Sequence, residues 1–236
     1  MDAGCGIGDH TRRIARRGFH CVGIDISKHI LARAKTLTEK AGLAERIRYE
    51  SHSLEALPFE GTFDVVHCRG VLMHIPGWEQ ALDKLCRCLK PGGSIIIFEN
   101  NDASLFARTY VLTRRLRGAR QSRMVRVSGG IEFWSEEGGQ PYLVRIANMR
   151  ALQQRLESLQ VRPIRRFATS LWDIEMAPAG MVRNAIIRVN QLAFRLRLPA
   201  SLCKGNVIIG RRSDAEVAPS AADHRILTVA VRRPAV

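Results

Sequence analysis

Three glycines alternate behind an aspartate at the head of the chain, in Asp2-Ala3-Gly4-Cys5-Gly6-Ile7-Gly8. Glycine has no Cβ, so such a turn can press its backbone against a ligand. Helical residues follow from His10 to Arg17, with Asp9 placed to cap them. The turn therefore directs free N–H groups and a positive helix end toward a carboxylate or phosphate. Seventeen residues past Gly8, the apolar run Cys21-Val22-Gly23-Ile24 ends in Asp25. A nucleotide-binding α/β sheet puts a carboxylate there, against ribose hydroxyls. The alternative for Asp25 is a helix N-cap.

The rest of the first hundred residues fits an α/β chain. Brief apolar runs at 21–25, 46–51, 63–68 and 94–99 read as strands, and amphipathic stretches at 10–17, 28–41 and 78–89 read as helices. Their alternation predicts a mostly parallel sheet wound on both faces. In the last helix Trp78, Leu82, Leu85 and Leu89 form a core stripe, which Pro91-Gly92-Gly93 ends. Beyond Asn100 the pattern loosens. Residues 104–117 read as a basic amphipathic helix with Leu105, Leu112 and Leu116 on one side, and 118–141 as a loop or lid. A helix at 147–159, a strand at 162–168, a second basic helix at 182–197 and a last strand at 206–210 follow, before a loose tail at 213–236 in which 226–231 could pair.

A dinucleotide fingerprint wants a third glycine three residues after the second, and neither register of this turn provides it: Asp9 or Thr11 stands there. The pattern Asp-x-Gly-x-Gly-x-Gly instead resembles the first motif of the class I S-adenosylmethionine-dependent methyltransferases. Val22-Gly23-Ile24-Asp25-Ile26-Ser27, Leu57-Pro58-Phe59, Phe63-Asp64-Val65-Val66, Val71-Leu72-Met73-His74-Ile75-Pro76 and Leu89-Lys90-Pro91-Gly92-Gly93 continue the resemblance in order. It implies a Rossmann-like doubly wound sheet with an antiparallel last strand at its edge. Members enter the first motif on a central strand, which this chain lacks before Met1, so the resemblance predicts a chain truncated at its N-terminus with its first strand missing. One methyltransferase domain is expected over 1–212: a cofactor half at 1–100, a lid or substrate insertion at 101–146, and closing elements at 147–212.

The resemblance also implies S-adenosyl-L-methionine as cofactor. Asp2 would orient the loop and lie near the amino-acid part of the cofactor, while Gly4, Cys5, Gly6 and Gly8 would bring the backbone close. Asp25 would take both ribose hydroxyls, with Ile26 beside it. Ser53 and Leu54 would meet the adenine, and Arg69 and Gly70 would line the pocket. Ser53 departs from the family, which usually has an aspartate accepting from the adenine amine; a hydroxyl accepts without charge and predicts weaker binding. His74 is a candidate general base, or a packing and capping residue. Glu99, at the tip of a strand, either faces the acceptor or is simply solvent-exposed. Trp134 and Tyr142 either form an aromatic wall for the acceptor or pack in the core.

Charge separates the two halves. Residues 1–100 hold 14 basic and 12 acidic side chains, whereas 101–212 hold 20 and 7. Such a cationic half attracts anionic small molecules, anionic lipid or nucleic acid, unless its arginines are merely solvated. After the fourth strand stands Cys68-Arg69-Gly70-Val71 rather than Asn-Pro-Pro-Tyr, and no basic platform is interleaved with aromatics, which argues against nucleic acid. No run of eighteen apolar residues and no signal sequence is visible. The six cysteines read as free thiols in a reducing cytoplasm; Cys86 and Cys88 are poorly spaced for a shared metal, and none is expected. The expected function is methyl transfer to oxygen, nitrogen or carbon of a small molecule. The alternatives are a membrane-surface enzyme acting on a lipid-like or quinone acceptor and a non-catalytic remnant.

Overall fold

In the computed structural model, residues 1–116, 123–174 and 179–214 are described. The strands are β1 (Asp2–Ala3), β2 (Cys21–Asp25), β3 (Ile47–Ser51), β4 (Phe63–Arg69), β5 (Leu89–Asn100), β6 (Arg123–Val127), β7 (Gly130–Glu137), β8 (Gln140–Ala147), β9 (Val161–Ser170) and β10 (Gly205–Arg212). The helices are α1 (Asp9–Ala15), α2 (Lys28–Lys40), α3 (Trp78–Arg87), α4 (Leu105–Leu116), α5 (Met149–Ser158) and α6 (Met181–Arg195). One sheet of seven strands runs in the order β3-β2-β1-β4-β5-β10-β9. The first five are mutually parallel, and β10 lies antiparallel between β5 and β9. The outermost strand on that side is thus β9, not the final strand, because β10 returns into the gap beside β5.

At the centre, β1 consists of Asp2 and Ala3, which pair with Gly23 and Ile24 on one side and His67 and Cys68 on the other. These two residues supply the first strand, and they set the glycine turn above the carboxyl ends of β2 and β4. The chain order changes direction across β1, the place where open α/β sheets bind ligands. Leu82, Leu85, Ile95, Ile97 and Ile208 are fully buried in the core beneath. Trp78, Leu82 and Leu85 form the buried stripe of α3, and Leu89 already begins β5.

The largest departure from expectation lies at 118–141. Its described part is no loop: β6, β7 and β8 form an antiparallel three-stranded sheet, joined at Val127↔Gly130 and Glu137↔Gln140. Residues 118–122 lie outside the described part. The glycine pairs 129–130 and 138–139, which read as loop text, stand at the two tight reversals. Helix α4 packs on this sheet through Ala107 and Val111 against Ile131, Phe133 and Ile146. Leu105, Leu112 and Leu116 do share one side, but that side faces solvent. Ser213 and Asp214 are described; the rest of the expected tail, including 226–231, lies outside.

Candidate functional site

The turn between β1 and α1 is closed by backbone bonds. Cys5 N donates to Ile24 O at 2.9 Å and Gly8 N to Cys5 O at 2.9 Å. Gly8, at φ 78°, is the N-cap of α1, and Asp9 is instead the first helical residue, paired with Arg12. That arginine is buried and also donates to Ile7 O at 2.6 Å, bracing the turn from below. The three glycines are required for different reasons. A Cβ at Gly4 would lie 2.3 Å from Val71 Cγ2, and one at Gly8 would lie 2.2 Å from the Tyr49 hydroxyl. At Gly6, with φ 53°, it would meet nothing within 4 Å. Gly6 thus faces open space, as a backbone that receives a ligand at close range must.

Gly6 N donates to Asp25 Oδ2 at 2.9 Å, and Ser27 N donates to Asp25 Oδ1 at 3.0 Å. Each oxygen takes one amide and retains lone-pair capacity for a further donor, the arrangement a vicinal diol needs. Asp25 is not the helix cap: Ser27 is, its hydroxyl accepting from Ile30 N. Beside it Ile26 is 73% exposed, an apolar surface open to a flat ring. Asp2 is different. It is buried, its Oδ1 accepts from His67 Nδ1 at 2.8 Å, and its Oδ2 accepts from the Thr11 hydroxyl. Burial pushes its pKa up, but the His67 bond and charge and the Thr11 hydroxyl outweigh it, so Asp2 stays ionised. With both oxygens engaged it ties β1 to β4 and α1, orienting the turn from beneath.

The remaining candidates line the same end of the sheet. Arg69 donates to His10 Nε2 at 2.8 Å and lies 4.8 Å over the Phe98 ring. Burial and then Arg69 lower the His10 pKa, which keeps that ring neutral and able to accept. Gly70 turns at φ 62° and donates to Phe98 O. Ser53 caps the 3-10 turn Leu54–Ala56, its hydroxyl accepting from Glu55 N at 3.3 Å, and the Leu54 side chain is buried in the core. Burial and the nearby Asp2 and Asp25 push the Cys5 thiol up to about 12, so it remains protonated within the turn.

Across the carboxyl end of β4 lies a second group. His74 Nδ1 donates to Leu143 O at 2.9 Å, which leaves Nε2 as the ring nitrogen not engaged by that carbonyl. Its ring stacks on Tyr142 with centroids 5.3 Å apart. Arg145, 2% exposed, donates to Leu72 O, Ile75 O and Pro76 O and pairs with Glu132 at 2.6 Å. It staples β8 to the segment bearing His74. Glu99 is not solvent-exposed: it is 1% exposed, and it lines a narrow cavity with Leu72, Met73, Trp78, Arg145 and Asn148. Neither of its oxygens has a hydrogen-bond partner among the described residues. Burial pushes its pKa up to about 8; the amides of Met73, Leu72 and Val71 point toward the carboxyl without completing a hydrogen bond, and with the Arg145 charge they only partly oppose this. Glu99 is consequently a neutral acid near pH 7.

Trp134 and Tyr142 do not make one wall. Trp134 pairs with Leu143 and Tyr142 with Ser135, so the two aromatics project from opposite faces of the sheet. Trp134 donates instead to Glu132 Oε2 at 2.9 Å. Thr11, His67, Tyr49, Glu132 and Arg145 were not singled out from the sequence. Arg145 had a visible signal, standing at an inward position between Leu143 and Ala147. The Tyr49 contact with the turn had none, since the pair is joined only by folding.

Residues 1–97 match the family model described as a methyltransferase domain. The chain thus carries, over those residues, a domain of the S-adenosylmethionine-dependent methyltransferase kind. It is 32% identical over 145 residues to a ubiquinone biosynthesis O-methyltransferase of Pseudomonas aeruginosa, covering 59% of this chain and 62% of that protein. It is 29% identical over 119 residues to a sterol 24-C-methyltransferase of Gibberella zeae, covering 50% of this chain and 31% of the relative. The chain thus spans less than two thirds of these curated relatives. A SAM-dependent methyltransferase of Methanosarcina mazei has the same fold, with a TM-score of 0.61 at 18% identity, covering 90% of this chain and 91% of that one. So does the [4+2]-cyclase SpnF, with a TM-score of 0.60 at 19% identity, covering 91% of this chain and 75% of that one. S-adenosylmethionine is the family's cofactor, and the open face at Gly6 with the diol-ready Asp25 fits it.

Proposed function

We propose that this methyltransferase passes a methyl group to oxygen, nitrogen or carbon of a small-molecule acceptor. The observation that carries the reading is the bond from Gly6 N to Asp25 Oδ2, which closes the glycine turn onto the ribose-binding carboxylate. Bound there, S-adenosylmethionine would supply a methyl group already activated by the positive sulfur. Methyl transfer needs alignment and exclusion of water more than a catalytic triad. The chain's own contribution is then to hold the turn (Asp2, Arg12), to grip the sugar (Asp25), and to offer Ile26, Ser53 and the Leu54 backbone to the base. Arg69 and Gly70 close the pocket beside them.

On the acceptor side, His74 Nε2 would take a proton from a hydroxyl or amine, while neutral Glu99, buried beneath the His74 segment, would support that segment rather than meet the acceptor. Strand β8 packs on that side against the His74 segment, and the cationic character of 101–146 suits an acceptor bearing negative charge. The ubiquinone and sterol methyltransferases among its relatives support a quinone-like or sterol-like acceptor. Incubation with methyl-labelled S-adenosylmethionine and a cell extract tests this: label should enter a small organic molecule. Label found only in protein or nucleic acid, or in nothing, defeats the proposal.

A second reading, in which a lipid-like acceptor is reached at a membrane surface, is favoured by the exposed apolar sides of α4 and α6. No helix among the described residues is long and apolar enough to cross a membrane, so such contact would be peripheral.

A further inference from the structure

Helix α6 carries an apolar stripe on the side turned away from the core. At 3.6 residues per turn, Met181, Ala185, Val189, Leu192 and Leu196 share one face. That face is solvent-exposed: Met181 is 89%, Leu192 55% and Leu196 64% accessible, whereas the opposite side buries Asn190 and Ala193. The orientation is built in. Asn190 Oδ1 accepts from Leu171 N and Trp172 N at 2.9 Å, and its Nδ2 donates to Trp172 O at 3.1 Å. This clasp turns the polar position inward and the apolar stripe outward. Trp172 also meets Phe106 of α4 edge-on at 5.5 Å, and α4 presents its own exposed stripe of Leu105, Leu112 and Leu116.

Charge identifies what the stripe meets. Arg188 and Arg195 run along its edge, and α6 itself contains three basic side chains, Arg183, Arg188 and Arg195, and no aspartate or glutamate. A second copy docked face to face would oppose these arginines with their own copies. An anionic phospholipid surface instead satisfies both the stripe and its flank, as for interfacial helices with basic edges. We propose that α6 lies in the headgroup layer of an anionic membrane, with its Met181–Leu196 stripe inserted and Arg188 and Arg195 on lipid phosphates. The proposal names the partner for the membrane-surface reading above and rests on that reading for its purpose, though its physical basis is this surface alone.

Flotation of the full chain with equimolar phosphatidylglycerol and phosphatidylcholine vesicles tests it, with S-adenosylmethionine titrated into the same samples by calorimetry. The wild type should float at low salt, release as salt rises, and ignore pure phosphatidylcholine. Leu192→Glu and Val189→Glu, both at exposed positions, should abolish flotation, and each of Arg188→Ala and Arg195→Ala should weaken it about fivefold. Unchanged S-adenosylmethionine binding in these variants would show that the fold is intact. A wild type that stays unbound, or Glu variants that float as well as it does, would overturn the proposal. So would a dimer in gel filtration that Leu192→Glu dissolves, since a second copy would then cover the stripe. Floating protein that fails to bind S-adenosylmethionine would defeat the cofactor reading and leave the membrane surface standing.

Discussion

Glu99 should make this protein less stable as pH rises, and Glu99→Gln should remove that dependence. The carboxyl is fully buried without a hydrogen-bond partner among the described residues, and burial raises its pKa from the ordinary 4.5 to about 8. The folded value lies above the unfolded one, so between them the folded chain binds more protons than the unfolded chain. Stability from this group is therefore intact below pH 4.5 and falls as pH climbs toward 8, by about 1.4 kcal/mol per pH unit. Between pH 5 and pH 8 the loss amounts to a few kcal/mol. Every other titrating group cancels when the wild type is compared with Glu99→Gln, because an amide keeps the shape and cannot ionise. Urea denaturation of both proteins at several pH values measures the difference. The variant should gain on the wild type by that amount across the range. Two pH profiles that run parallel would refute the argument, since Glu99 would then be ionised in the fold or titrate as it does in water.

Three further outcomes follow from the site. Gly6→Ala should cost only about 1–2 kcal/mol for its positive φ yet abolish S-adenosylmethionine binding, whereas Gly8→Ala should lower the Tm further through its collision with Tyr49; equal binding in wild type and Gly6→Ala would contradict the open-face reading. Arg145→Met should cost about 3–5 kcal/mol by stranding the Glu132 carboxylate and three carbonyls, measured by chemical denaturation; a loss below 1 kcal/mol (about one ordinary hydrogen bond) would show that the staple is dispensable. With an acceptor in hand, His74→Gln should reduce kcat about 10²–10⁴-fold while leaving cofactor binding intact, and an unchanged kcat would restrict His74 to its bond with Leu143.

The cofactor half was legible because its signals are local. The glycine turn, the strand ending in Asp25 and the stripe Trp78, Leu82, Leu85 each lie within one short segment whose period or spacing carries the information. The β6–β8 sheet was not legible, because its tight reversals use glycine pairs that also mark loops, and antiparallel pairing depends on contacts between segments. The exposure of Leu105, Leu112 and Leu116 was hidden for a related reason: periodicity shows that a face is apolar but not whether anything covers it. Glu99 illustrates the same limit at a single residue. Its place among Asn100, Asn101 and Asp102 suggested solvent, and only the 3-10 turn at Leu72–His74 and strand β8 folding over it reveal a buried acid.

Calorimetric titration of S-adenosylmethionine into the wild type and Asp25→Ala tests the central claim most directly. One site per chain is expected in the wild type. The variant, having lost two charge-assisted bonds to the sugar, should bind about 100-fold more weakly. Equal affinity in the two proteins, or a wild type that ignores S-adenosylmethionine and takes a nicotinamide or flavin dinucleotide instead, would contradict the assignment of this site.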